Sequence, residues 1–449
     1  LHLISGPLGT LVGLYETAID RLATWEVDGK PVRPKVIAST ATIRRAPDQV
    51  HALFVRRVRV FPPHGLDVED NFFSRQRPIG DASPGRRYIG ICAPGRRLKA
   101  TLIRVYVAFL GAAQQLYDKY GRAVDPWMTL VGYFNAMREL GGMRRLVDDD
   151  VRTRLMRADQ RGLAIRSLTY DSVDELTSRK GGTDIPDVLD SLEAVFDPAV
   201  KGKPGRKPLD VLLATNMLSV GVDVRRLGLM VVAGQPKTTA EYIQATSRVG
   251  RAWPGLVCTV LNWVRPRDLS HYERFEHYHA TFYKHVEALS VTPFSPRAID
   301  RGLTALLVSC IRLMGMEFNV NPKAGRIDRQ HPYVRAAVEE IARRAHLVGA
   351  GAAIEQLVRA ELEKRLDEWL ARAQQMTGGQ RLGYRDVRDG ITVPLLRRAG
   401  RDPWTDFTCL NSLRDVEPEV GLVLDDRGLD DETASVPVAP PDANTETTP

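Results

Sequence analysis

The sequence predicts an α/β fold built on a parallel sheet, followed by a mainly helical region. Three observations carry that expectation. Residues 210–253 read DVLLATNMLSVGVDVRRLGLMVVAGQPKTTAEYIQATSRVGRAW, with two unbroken apolar runs at 211–214 and 229–233. Short continuous runs bounded by Gly and polar residues suit strands covered on both faces, as parallel strands are. A helix is then expected over 239–249, with Thr238 or Thr239 as its N-cap. Beyond residue 265 the pattern turns helical, as in EQLVRAELEKRLDEWLARAQQ, where Glu and Arg recur four apart.

Taken in order, residues 9–26 predict a helix and 29–34 a loop. Residues 36–38 predict a strand ending at Ser39, Thr40, Ala41 and Thr42. Residues 64–86, rich in Pro, Gly and charge, predict a linker. A second α/β unit is expected over 87–265. Its strand YIGICA leads to a helix at 98–120, a strand at 129–134 and a helix near 147–160. Residues 266–415 predict a helical accessory domain, and the acidic, Pro- and Thr-rich stretch 416–449 reads as disordered.

Composition narrows the class. In 449 residues, 43% are hydrophobic and 26% charged, as in a water-soluble globular protein of two to four domains. The longest apolar runs fall far short of the ~20 residues that a membrane span needs. With no signal peptide visible, the cytoplasm is the expected compartment and no membrane partner is expected. Cys92, Cys258, Cys310 and Cys409 have no C-x-x-C spacing, which argues against a zinc ribbon or a disulfide framework. The net charge of +8 and the isoelectric point near 9.3 suit a phosphate-bearing partner.

The chemistry concentrates where the helix at 239–249 ends. Gln244, Arg248 and Arg251 are spaced four and three apart, so their side chains fall on nearby faces. Arginine suits phosphate because its planar fork pairs bidentately and keeps its charge. An Arg supplied from across a cleft accelerates phosphoryl transfer by roughly 10³–10⁵. No G-x-x-x-x-G-K-[ST] loop occurs, since Gly29-Lys30 and Gly202-Lys203 are each followed by Pro.

These residues also carry a family likeness. ATNMLSVGVDV resembles motif V of superfamily 2 helicases, and QATSRVGR resembles their motif VI, Q-x-x-G-R-x-G-R, with Ser247 where Gly is usual. Ser39 to Thr42 resemble motif III, and Leu1-His2 resembles the last half of a D-E-L-H motif II. TLVGYFNAMRELGG resembles motif IV. The resemblance implies RecA-like lobes: part of a first lobe at 1–63 and a second at 87–265. It implies ATP and Mg²⁺ as cofactors, with the metal's ligands expected upstream of Leu1.

It also implies roles. Arg248 and Arg251 would reach the γ-phosphate, and Gln244 would bridge towards His2. Gly221 and Asp223 would line the nucleotide side. Thr215 and Ser219 would meet a nucleic-acid backbone, while Thr40 and Thr42 would couple the two sites. SGPLGTLVGLYE and HYERFEHYHATFYKHVEALSVTPFSPRAIDRG narrow the likeness to the helicase subunit of DISARM-type anti-phage defence systems. That family implies an ATP-driven DNA motor, with a DUF1998-type partner subunit and a DNA methyltransferase.

Several features have plainer readings. Ser and Thr after a strand often only cap a helix. Residues 176–179 suit a strand-tracking segment or an exposed turn, and the basic loop at 201–208 a phosphate contact or a solvated loop. His271, His277, His279 and His285 match no familiar metal spacing. The aromatics among them suit base stacking or helix packing. At the level of function, the alternatives are a non-catalytic nucleic-acid-binding or scaffolding subunit, or a duplex translocase that does not separate strands.

Overall fold

The computed structural model describes residues 4, 8–40, 43–63, 65–67, 70–81, 83–177, 179–180, 184–200, 207–219, 223–399 and 403–410. His2, Thr42, Gly221, Ser178, the loop at 201–206 and the tail at 416–449 lie outside them.

Helix α1 (Gly9–Leu22) opens the described chain and leads to a hairpin, β1 (Trp25–Val27) and β2 (Lys30–Val32). Asp28 and Gly29 between them both have positive φ, at 52° and 71°, the two-residue turn whose twist matches an antiparallel ribbon. Helix α2 (Ala46–Phe54) follows. The expected helix over 9–26 thus stops four residues early, because Trp25 and Glu26 pair with Val32 and Pro31.

The expected strand at 36–38 does not form. A strand exists only within a ladder, and no described strand lies beside this one; Ile37 is 89% exposed.

The next six strands form one sheet: β3 (Arg86–Cys92), β4 (Leu130–Phe134), β5 (Val173–Leu176), β6 (Val211–Ala214), β7 (Leu229–Ala233) and β8 (Gly255–Leu261). Their order is β3-β8-β7-β4-β6-β5, and every pairing is parallel. Every residue of β4, β6 and β7 is buried, which is why their sequences are unbroken apolar runs. This is the RecA-like architecture.

Alternate residues of these strands serve opposite faces. On one face Leu130 and Phe134 pack with Leu102, Tyr106 and Leu110 of α3 (Leu98–Tyr120) and with Leu140 of α4 (Met137–Leu146). On the other, Val131, Tyr133, Leu212 and Met230 meet Val188 and Leu192 of α5 (Asp184–Glu193) and Tyr242 and Ala245 of α6 (Thr239–Thr246). Each fully buried Leu or Val there contributes roughly 1.5–3 kcal/mol. Gly132 in β4 has a close-approach reason: a Cβ there would lie 2.0 Å from the Tyr106 hydroxyl. The helix expected near 147–160 begins earlier, at Met137, and runs through a π turn at Val147–Val151 into Arg152–Leu155.

After β8 come two short helices, α7 (Pro266–Glu273) and α8 (Phe275–Ala280), and then α9 (Pro296–Leu313), α10 (Pro332–Ala345) and α11 (Ala352–Gln374). The last three share a core with α1. Leu14 and Ala18 join Leu303, Leu307, Ile341, Leu362 and Trp369 in one buried cluster. The opening helix is therefore part of the same packed body as the C-terminal helices. No described helix is long and apolar enough to cross a membrane.

Candidate functional site

The site forms at the C-terminal edge of β6 and the end of α6. β6 is fixed at its entry by a buried ion pair, Arg166 Nη2 donating to Asp210 Oδ1 at 2.5 Å and to the Met128 carbonyl at 2.6 Å. At its exit come Thr215, a 3-10 turn at Asn216–Ser219 and, past the gap, Asp223. Helix α6 starts at Thr238, whose hydroxyl accepts the Glu241 backbone N–H at 3.1 Å. Such a cap satisfies a donor that the helix leaves unpaired.

The turn ending α6 is held by arginines. Arg86 of β3 donates to the Val249 carbonyl at 2.6 Å and the Ser247 carbonyl at 3.4 Å. Arg251 Nε donates to the same Ser247 carbonyl at 3.1 Å, and its Nη1 pairs with Asp223. Cations at a helix C-terminus lower its energy, by about 0.3–1 kcal/mol each. The Arg251–Asp223 pair therefore joins the segment after β6 to the end of α6. Its carboxylate side is 75% exposed, and a pair so exposed is worth only about 0–1 kcal/mol. Arg251 is consequently held in place yet loses little by exchanging Asp223 for another anion. Arg248, half-buried, has its guanidinium pulled below the usual value, first by burial and then by the Arg251 charge, with Asp223 opposing.

Ser247, where the resembling motif has Gly, lies at φ −68° and ψ −6°, ordinary helical backbone open to any L-residue. Its hydroxyl donates to the Gln244 carbonyl at 2.9 Å. Gly250 is the position that needs glycine. Its φ is +70°, and a Cβ would sit 2.7 Å from the Gly255 Cα and 2.9 Å from the Arg86 Cγ.

Behind α6 stands an aromatic layer that sequence reasoning left open. Tyr242, with no exposed surface, has its hydroxyl 2.6 Å from Thr259 Oγ1 in β8 and 3.2 Å from His279 Nε2 in α8. His279 Nδ1 lies 2.7 Å from the Phe275 carbonyl. A carbonyl only accepts, so Nδ1 carries the proton and Nε2 accepts from Tyr242. Burial lowers the His279 value, which favours that neutral ring. Tyr88, Tyr278 and Phe282 surround the same point with ring centroids 4.8–5.6 Å from one another or from His279. Glu287 accepts from the Thr239 amide at 2.8 Å and its hydroxyl at 3.1 Å, pinning the first turn of α6.

Of the predicted residues, the structure brings Arg248, Arg251 and Asp223 together, and Gln244 lies on the helix they follow. Thr215, expected to meet a nucleic-acid backbone, lies just past the end of β6. It is 3% exposed and its hydroxyl lies 4.0 Å from Met137 Sδ, because the 3-10 turn folds it under the sheet edge. Thr40 is half-buried on the opening segment, and Ser219 is described in its backbone only. The base-stacking reading of Tyr278, His279 and Phe282 gives way to packing, since their faces are occupied by one another and by α6. Spacings of three, four and seven from Phe275 to Tyr278, His279 and Phe282 were the available signal. Among the described residues no cluster of three His, Cys, Asp or Glu side chains has metal-binding geometry.

Comparison with known proteins agrees with this architecture. Residues 199–253 match the helicase conserved C-terminal domain. Over 377 residues, 83% of this chain, the sequence is 44% identical to the DISARM protein DrmA of Bacillus paralicheniformis. The chain is thus similar to a DISARM protein and carries a stretch of the helicase conserved C-terminal domain. It spans 32% of that relative's length. Among solved structures it is similar to the DUF1998 helicase MrfA bound to DNA, at 16% identity and a TM-score of 0.45, covering 69% of this chain and 36% of that one. It is also similar to the C-terminal domain of the DEAD-box protein Dbp5, at 12% identity and a TM-score of 0.29, covering 44% of this chain and 86% of that one.

Proposed function

We propose that this chain supplies the second motor lobe of an ATP-dependent DNA helicase or translocase acting in anti-phage defence. The observation that carries the reading is the pair Arg248 and Arg251, set at the end of α6 and tethered to the segment after β6 through Asp223. Two guanidiniums at a sheet edge fit a polyphosphate: they are cationic at every working pH and present planar forks. Bound Mg²⁺-ATP supplies the phosphoanhydride that is hydrolysed. Arg251 would leave its weak pair with Asp223 to hold the terminal phosphate, and Arg248 would add a second charge from one turn earlier. Gln244, on the same helix edge, would orient the catalytic water's side of the site. Gly221 would complete the nucleotide wall beside Asp223, Gln244 would bridge towards His2, and Thr40 and Thr42 would couple the two sites. The Mg²⁺ ligands are assigned outside the described residues.

DNA as the track is supported by the 44% identity to a DISARM protein and by the basic balance of the chain. A DUF1998-type partner subunit and a cytoplasmic setting belong to the same proposal. The test is ATP hydrolysis by the complete protein with single-stranded and with duplex DNA added. Stimulation by DNA supports the motor. A rate that neither DNA form changes would favour the scaffolding alternative, and triplex displacement without strand separation would favour a duplex translocase.

A further inference from the structure

A second charged site lies far from α6, where the opening segment meets the C-terminal helices. Asp20 of α1 accepts from Arg33 Nε at 3.0 Å, from Arg33 Nη2, from Arg56 Nη2 at 2.9 Å and from Arg344 Nη1 at 3.3 Å. An ionised carboxylate has about four lone-pair positions, so Asp20 is saturated. Three guanidiniums thus share the Asp20 carboxylate, and Glu16 lies close enough to attract all three as well. Their remaining N–H groups turn to the end of α2: Arg344 donates to the Leu53 carbonyl at 2.6 Å and Arg33 to the Phe54 carbonyl at 3.0 Å. Carbonyls at a helix C-terminus offset only about half a charge. The Asp20 carboxyl is held below its ordinary value by these arginines, against burial.

The cluster opens onto a cleft of about 470 Å³ between α1, the β2 segment and α10. Four of its lining side chains are Arg21, Arg33, Arg343 and Arg344; Asp20, Glu339 and Glu340 line it beside them. Glu340 is already taken by Arg343 at 2.6 Å, and Glu339 by Arg359 at 3.0 Å. Arg344 is 3% exposed, and its buried Nε has no hydrogen-bond partner. An unmet N–H on a buried cation keeps its full desolvation cost, unlike one that faces water. Buried cations are ordinarily fully paired.

We propose that this cleft binds a phosphate-bearing anion, with Arg344 at its floor and Arg33 and Arg343 as its walls. Its volume suits a ligand from pyrophosphate to a mononucleotide. Such a ligand would tie α1 to α10, and so the opening segment to the C-terminal body. The proposal is independent of the motor reading, because none of its residues belongs to α6 or to the segment after β6.

The experiment is calorimetric titration of the full chain with sodium pyrophosphate against sodium chloride of matched ionic strength. Saturable binding is expected. Glu340→Gln, which frees Arg343, should tighten it several-fold, and Arg344→Gln should weaken it by about tenfold or more, the worth of one charge-assisted hydrogen bond. Glu340→Gln retains the arginine cluster, so its result stands even if Arg344→Gln fails to fold. A single-stranded oligonucleotide that competes with pyrophosphate identifies backbone phosphates as the source, and failure to compete identifies a free phosphate compound. Absence of saturable pyrophosphate binding, or an affinity that Glu340→Gln leaves unchanged, overturns the proposal.

Discussion

Removing a single oxygen behind α6 tests how the arginine edge is positioned. In Tyr242→Phe the ring keeps its packing, but the hydroxyl between Thr259 Oγ1 and His279 Nε2 is lost. Both partners are then left short of one hydrogen bond in a site where Thr259 is 1% exposed. Two net hydrogen bonds of about 1 kcal/mol each, plus the desolvation of an unmatched acceptor, give a cost of roughly 2–3 kcal/mol. Denaturant unfolding of the second lobe, with hydrogen exchange of the α6 amides, reads it. If His279 acts through that hydroxyl, the double variant Tyr242→Phe/His279→Leu should cost less than the two single costs summed, by about 0.5 kcal/mol or more. Strictly additive costs, or unchanged exchange in α6, would refute the network.

Other perturbations follow from the same geometry. Gly250→Ala should destabilise the lobe by about 2–4 kcal/mol, combining left-handed strain with displaced backbone, whereas Ser247→Gly should change little; thermal unfolding of the two variants compares them. Burial lowers both His271 and His279, so the unfolded chain binds their protons more readily. Their contribution is complete above about pH 6.5 and is lost as pH falls below it, and replacing both with non-titrating residues should flatten the slope of stability against pH there. Asp210→Ala leaves Arg166 buried without its carboxylate and should cost about 3–5 kcal/mol by denaturant titration.

The second lobe was legible because its strands are buried on both faces. The runs at 211–214 and 229–233 had no other stable setting, and α3 was read to its observed ends, Leu98–Tyr120. The strand expected at 36–38 was not, because three apolar residues specify a strand only beside a partner. The local pattern likewise gave no hint that Thr215 would turn inward, since a hydroxyl after a strand reads alike whether it faces water or a methionine. Arg251 stood out in the sequence as a candidate phosphate ligand, but its pairing with Asp223 did not, since the two are 28 positions apart. The Asp20 cluster was invisible for the same reason: Arg33, Arg56 and Arg344 are scattered over the chain and meet only in the fold.

In the proposed motor Arg248 and Arg251 act on a nucleotide phosphate. Single-turnover ATP hydrolysis by the complete protein, with Arg248→Ala and Arg251→Ala each compared with the parent, tests it most directly. Arg251→Ala should lose roughly 10³–10⁵ in rate, with DNA binding largely retained. Parental hydrolysis rates in both variants would contradict it.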